Sequence, residues 1–278
     1  MRARNRISGT IRCDARPTHS GRSVSARKAE SHGMNLHIVT GGSRGLGRSL
    51  VNFLAESGDD VADISRSGTF CDAKLRSFNC DLSSAESKEP VFQDIFRTFP
   101  VKRYDRITLI NNAGIVDPIK HVVDLDAASV ARNIAINLVA PIALTSAFLK
   151  RSSDFDGLRI VANISSGAAS RPKGSWATYS AAKAGLECFS TALARDFAND
   201  DRVKSVIFEP GIVDTDMQAR IRDTDPANFD EVAQFLTFKK SGQLLSAETV
   251  AAALGAFVLR DDLASLTKVS IRDLIKSQ

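Results

Sequence analysis

A doubly wound α/β fold, one parallel sheet with helices on both faces, is what this 278-residue sequence predicts. Three observations carry that expectation. Short apolar runs alternate with longer helical patterns from residue 36 to the end. The apolar runs are continuous rather than alternating, the pattern of strands buried on both faces. A glycine-rich turn follows the first run directly and opens into a helical pattern. Strand–helix alternation with right-handed crossovers then places helices on both sides of a parallel sheet.

The elements follow in order along one domain, residues 34–278. Leu36–Thr40 reads as the first strand and Leu46–Ser57 as a helix ended by Gly58. Val61–Ser65 is a second strand and Ser77–Cys80 a weaker third. Ser84–Phe99 is helical, and Arg106–Ile110 is a strand. Asp126–Arg151 is one long helix, Leu158–Ile164 a strand, and Ser175–Asn199 a second long helix. Val203–Phe208 is a strand, Ala247–Arg260 a helix, and Thr267–Ile271 a last strand.

Composition narrows the function classes. The chain is 43% hydrophobic and 25% charged, ordinary for a globular protein. Residues 1–33 carry eight Lys/Arg against two Asp/Glu; subtracting their +6 from the net +5 leaves −1 for the rest. The high pI therefore argues for no nucleic-acid partner. That Arg- and Ser-rich stretch is expected to be a basic, disordered extension, or residues ahead of a natural start at Met34, with a transit peptide as the alternative. Contiguous apolar runs fall short of the ~18–20 residues that span a bilayer, so no membrane partner is expected. Cys13, Cys71, Cys80 and Cys188 are scattered, as reduced thiols of a cytoplasmic protein would be, and no metal site is expected.

Thr40-Gly41-Gly42-Ser43-Arg44-Gly45-Leu46-Gly47 has strand before it and helix after it. Glycines let backbone approach a pyrophosphate, and the helix N-terminus offers free N–H groups and the positive end of its dipole. This is the expected site of a dinucleotide. The second strand ends in Ser65 and Arg66 where an NAD-preferring site would place a carboxylate. Arg66 and Arg44 suit the 2′-phosphate of NADP(H) instead. The competing carboxylate is Asp63, two residues upstream and expected to lie within the strand. Asp81-Leu82 fits a place beside the adenine. Asn112, Ala113 and Gly114, after the fourth strand, allow close approach to a ribose, or form no more than a turn.

Tyr179 and Lys183 stand one helical turn apart on one face. Ser166 ends the fifth strand, at the sheet edge where ligands bind in such folds. Hydride reduction of a carbonyl builds negative charge on oxygen, which needs a hydrogen-bond donor and a proton source. A neighbouring ammonium lowers the pKa of a phenol, so Lys183 is expected to tune Tyr179. Pro141 has no N–H, which leaves the carbonyl of Asn137 without its helical partner. That carbonyl either holds a relay water or marks a plain kink.

Together these motifs, with Pro210-Gly211-Ile212-Val213-Asp214-Thr215, resemble the classical short-chain dehydrogenase/reductase family over residues 36 to about 271. The resemblance implies a Rossmann fold and an Asn137–Ser166–Tyr179–Lys183 catalytic set. In it Tyr179 is the acid/base, Ser166 orients the carbonyl, Lys183 holds the ribose and Asn137 holds the water. Pro210, Gly211, Val213 and Thr215 would lie along the nicotinamide, and the two long helices would form a homodimer contact. Within the family, Asn163–Ala169, Gly174-Ser175-Trp176 and Pro210–Gln218 look like the sepiapterin reductase and benzil reductase subgroup, which uses NADPH on vicinal dicarbonyls. Ser270 stands where a pterin-anchoring aspartate is expected, with Asp273 as the residue displaced by register. This favours a ketone or diketone over a pterin. Ser166, Trp176 and Gly211 would line the substrate site, although Trp176 also suits a core position. Residues 218–242 read as a substrate lid or as a packed amphipathic helix. A 3-oxoacyl-thioester reductase and a non-catalytic nucleotide sensor are the remaining alternatives.

Overall fold

The computed structural model describes residues 33–68, 70–84 and 88–276. Apart from Gly33, the expected basic extension lies outside the described residues. Seven strands form one sheet in the order β3-β2-β1-β4-β5-β6-β7, every neighbouring pair parallel. They are β1 Asn35–Thr40, β2 Asp60–Ser65, β3 Leu75–Asn79, β4 Arg106–Asn111, β5 Leu158–Ile164, β6 Val203–Glu209 and β7 Leu266–Ser270. The fold is Rossmann-type, as the alternation predicts. The chain winds outward from β1 to β3, then returns to place β4 against the other side of β1. The crevice at the C-terminal ends of β1 and β4 is where such sheets bind ligands.

Successive strand side chains point to opposite faces, so each strand feeds two cores. Val39 and Ile110 pack with Leu50 and Leu54 of α1 (Gly45–Glu56) and Val250 and Leu254 of α8 (Ala247–Val258). Ile38, Leu109 and Val161 pack on the other face with Phe92 of α2 (Lys88–Thr98) and Phe148 of α4 (Ala140–Arg151). Full burial of a side chain such as Phe148 contributes about 1.5–3 kcal/mol.

The helix expected over 126–151 is continuous, but its geometry changes midway. α3 (Ala127–Ile134) passes through a π-helical stretch, Ala135–Val139, into α4. The Ala140 N–H reaches back five residues to the Ala135 carbonyl. Pro141 sits in the first turn of α4, where its missing N–H is tolerated. By length and composition, Ala127–Arg151 is apolar enough to cross a bilayer, which corrects the reading from contiguous runs. Polar Asn133 and Asn137 interrupt its run without lowering its mean hydropathy below 1.5. In the fold, its Leu144, Ala147 and Phe148 are core residues.

Other boundaries move by a few residues. β3 begins at Leu75 rather than Ser77, and the described part of the second helix is Lys88–Thr98. α5 runs Ala177–Asp196, starting after Ser175, whose φ of 63° stops a helix from including it. Residues 218–242 hold the end of α6 (Asp216–Arg222) and all of α7 (Val232–Lys240). α9 (Ile271–Lys276) follows β7 without a break.

Candidate active site

A cleft of about 1250 Å³ opens along the C-terminal ends of the strands. It is lined by every residue that the sequence analysis assigned to cofactor or substrate: Gly41, Ser43–Gly47, Ser65, Arg66, Asp81, Leu82, Asn112–Gly114, Ser166, Trp176, Tyr179, Lys183, Pro210, Gly211, Val213 and Thr215. Asn137 stands behind the wall, fully buried.

At the nucleotide end, Gly41 turns the chain with φ of 76°. A side chain at Gly47 would fall 2.1 Å from the Gly41 carbonyl, so the loop folds this tightly only with glycine there. No side chain caps the N-terminus of α1, and its first turn has no acidic residue. Its amide protons and dipole therefore face the cleft unanswered by protein, the arrangement that receives a pyrophosphate. These residues fit a dinucleotide. Thr40 Oγ1 accepts from the amides of Asn112 and Ala113 (3.0 and 2.9 Å), and Asn112 Nδ2 donates to the Thr40 carbonyl (2.9 Å). These bonds tie the ends of β1 and β4 together under the site.

Asp63 lies within β2, as expected, and is fully buried. Its carboxylate accepts from the Gly42 amide (2.7 Å), Ser65 Oγ (2.7 Å) and Ser77 Oγ (2.9 Å). It is a structural strut for the glycine loop. Arg66 is exposed beside Asp81, whose carboxyl is held below its usual range chiefly by bonds from Ser83, with Arg66 adding to the effect. Arg44 reaches Asp216 at 3.3 Å, both side chains largely exposed.

At the chemical end, Ser166 leaves β5 and its Oγ accepts from the Ala168 amide at 3.2 Å. Tyr179 is buried, and the Ser166 hydroxyl stands near enough to its phenol to favour the phenolate. Serine and tyrosine, thirteen residues apart, thus converge as the spacing predicts. Lys183 donates to the Ile164 carbonyl at 2.7 Å and lies 5.8 Å from the centre of the Tyr179 ring. One expectation is corrected here. Burial raises the Tyr179 pKa, and the opposing influence is the nearby Ser166 hydroxyl rather than Lys183. Burial also lowers Lys183 to about 8. Both shifts disfavour the charged form, and both come from removing the groups from water.

The Asn137 side chain is spent on architecture. Its Oδ1 accepts from the Ile115 amide (3.0 Å), and Nδ2 donates to the Ile115 carbonyl (2.8 Å) and to Asn133 Oδ1 (2.9 Å). Only the main chain of Asn137 is left for a ligand. Asn133, which the motif reading missed, donates to the Asp117 carbonyl at 2.7 Å. Its signal was the i,i+4 asparagine pair.

Trp176 is both core and cleft wall. It stacks on Phe229 (5.4 Å, 25°), tilts against Phe235 (5.4 Å) and meets Tyr179 edge-on (5.9 Å). Phe229 and Phe235, from the 218–242 stretch, thus build an aromatic wall beside the phenol. Ser270 and Asp273 both line the cleft. Asp273 Oδ2 accepts from the Ser270 amide (3.0 Å) and Oγ (2.7 Å), a capping box that opens α9 and keeps a carboxylate at the rim.

The short-chain dehydrogenase family model matches residues 35–226, and this chain belongs to that family. It is an oxidoreductase of the kind that works with a nicotinamide cofactor. Among its relatives, it is 35% identical over 223 residues to a benzil reductase ((S)-benzoin forming) of Bacillus subtilis, covering 80% of this chain and 92% of that one. The benzil reductase of Bacillus cereus is 37% identical over 230 residues, with the same coverage. Sepiapterin reductase of Bos taurus is 31% identical over 272 residues, 90% of this chain and 98% of that one. Among solved structures, the KRED1-Pglu enzyme superposes with a TM-score of 0.72 at 25% identity, over 85% of this chain and all of the other.

Proposed function

We propose that this chain is an NADPH-dependent carbonyl reductase of small ketones and vicinal diketones of the benzil kind. The observation that carries the reading is the convergence of Ser166, Tyr179 and Lys183 in one cleft with the glycine loop. The nicotinamide, when bound, supplies the hydride to the carbonyl carbon. Ser166 holds the carbonyl oxygen, and Tyr179 gives it the phenolic proton as charge develops there. A phenol kept protonated by burial suits that direction of transfer. Lys183 would hold the nicotinamide ribose. The Asn137 carbonyl, denied an amide proton by Pro141, would hold the water that connects Lys183 to solvent.

NADPH over NADH follows from Arg44 and Arg66 at the ribose end and from Asp63, whose carboxylate is already committed to Gly42, Ser65 and Ser77. A diketone follows from the aromatic wall of Trp176, Phe229 and Phe235 and from the identity to two benzil reductases. A sepiapterin-type reaction is the second reading, favoured by the Asp273 carboxylate at the rim. We place the enzyme in the cytoplasm, in keeping with the scattered spacing of its cysteines. We also propose a homodimer, with α4 and α5 as the contact.

The test is NADPH oxidation over benzil, other diketones, sepiapterin and simple ketones. The expected result is turnover of benzil-like diketones above sepiapterin, with kcat/KM higher for NADPH than for NADH. Parity with NADH would sink the cofactor assignment. Tyr179→Phe should cut kcat by about 10²–10⁴-fold while NADPH still binds; near-full activity in that variant would remove Tyr179 from its role.

A further inference from the structure

A chain of polar groups runs behind the catalytic serine, and of its members only Ser165 lies in a family-motif stretch discussed above. Ser165, 2% exposed, donates its hydroxyl to Glu187 Oε1 at 2.6 Å. Glu187 Oε2 accepts from Lys268 Nζ at 2.8 Å. Lys268 in turn pairs with Glu209 Oε1 at 3.1 Å. The chain thus joins the exit of β5, the middle of α5, β7, and the last residue of β6. Glu209 lines the cleft and leads directly into Pro210-Gly211. Both glutamates are only 18% exposed at the side chain, so water screens these pairs less than it does a surface bridge. Lys268 is correspondingly held above its usual pKa, first by its bond to Glu187.

Position on the helix gives the network its meaning. Tyr179, Lys183 and Glu187 follow one another at four-residue steps, on one face of α5. Lys183 bonds the Ile164 carbonyl, and Glu187 bonds the very next residue, Ser165. Two rungs therefore fasten α5 to the end of β5, and Ser166 is the next residue along the chain. The distance between Ser166 and Tyr179 is set by where α5 lies against that strand end.

We propose that Glu187 is a positioning residue, one that holds Ser166 against Tyr179 by bracing Ser165 and is itself anchored by Lys268. The proposal rests on the reductase reading above for its kinetic consequences, and on geometry alone for its placement. Glu187→Ala removes the rung; Glu187→Gln keeps an oxygen that can accept from Ser165 and loses the charge that Lys268 pairs with. Misplacement of reacting groups by an ångström costs up to about 10²-fold. Glu187→Ala should lower kcat by about tenfold to a hundredfold with KM for NADPH little changed, and Glu187→Gln should recover much of the loss.

Two measurements separate bracing from general stability. In a double-mutant cycle with Ser165→Ala, the kcat effects should be non-additive, because each variant breaks the same rung. Fully additive losses would overturn the proposal. The second readout needs no turnover. The chain has only two tyrosines, and Tyr104 is held far above its usual range by burial and by its bond to Asp60. The phenolate absorbance lost in Tyr179→Phe therefore reports Tyr179. The Ser166 hydroxyl beside it favours the phenolate, so Glu187→Ala should move this titration to higher pH, in the direction Ser166→Ala does. An unmoved titration in Glu187→Ala would overturn the brace. If the native chain reduced no carbonyl, the proposed function would fall, and the titration would still decide the brace.

Discussion

Burial moves Tyr179 and Lys183 in opposite directions, and each shift has a consequence for rate. A lysine at about 8 is an ammonium at neutral pH and loses its proton just above it. The sign is direct: as pH rises through about 8, the free enzyme loses the charge at Lys183. Because kcat/KM reports ionisations of the free enzyme, kcat/KM for carbonyl reduction should fall on the alkaline side with a midpoint near that value. A flat profile from pH 7 to about 10 would contradict the assignment. The pairing of these residues was legible because four-residue spacing puts two side chains on one helix face whatever the tertiary structure. The depth of the site was not legible. A residue's desolvation depends on what packs over it, and here that is Trp176 with Phe229 and Phe235, from up to about 60 residues further along the chain. Glu187 was missed for a related reason. Its partner Ser165 is brought to it only by the docking of α5 on β5.

Among elements, the turn between β1 and α1 depends on a carboxylate in the neighbouring strand. Asp63 ties the Gly42 amide to β2 and, through Ser77, to β3. Asp63→Ala would leave one amide and two hydroxyls without their acceptor in a buried place. The expected cost is about 2–4 kcal/mol in urea unfolding, with a weaker Kd for the nucleotide, since the loop loses its support. Unchanged stability in that variant would show the three bonds to be replaceable. The strand-internal place of Asp63 was readable from the apolar run around it. The π stretch at Ala135–Val139 was not, because Pro141 announces a disturbance of the helix without saying how the preceding turn absorbs it. β3 was placed two residues late at its start, since Leu75 and Arg76 carry too few apolar neighbours for a strand pattern, and pairing with β2 decides the matter.

For the whole molecule, the doubly wound sheet was readable from alternation, because parallel strands buried on both faces are built largely from continuous apolar runs. What covers the outer surface of α4 and α5 is a question of assembly. Val139 is 47% exposed, and Ala181, Ala184, Cys188 and Ala192 form an exposed stripe of small residues along α5. Small side chains let two helices approach closely, so a charge there should be damaging. Ala184→Glu is expected to turn the proposed dimer into a monomer in sedimentation velocity, at unchanged fold by circular dichroism. A native chain that sediments as a monomer at all concentrations would dispose of the dimer. Trp176, finally, is the single indole in the chain. It touches the phenol on one side and the rings of Phe229 and Phe235 on the other. Its intrinsic fluorescence is therefore a built-in optical gauge of this aromatic cluster, requiring no attached dye, and its emission can be followed in real time while ligands enter and leave.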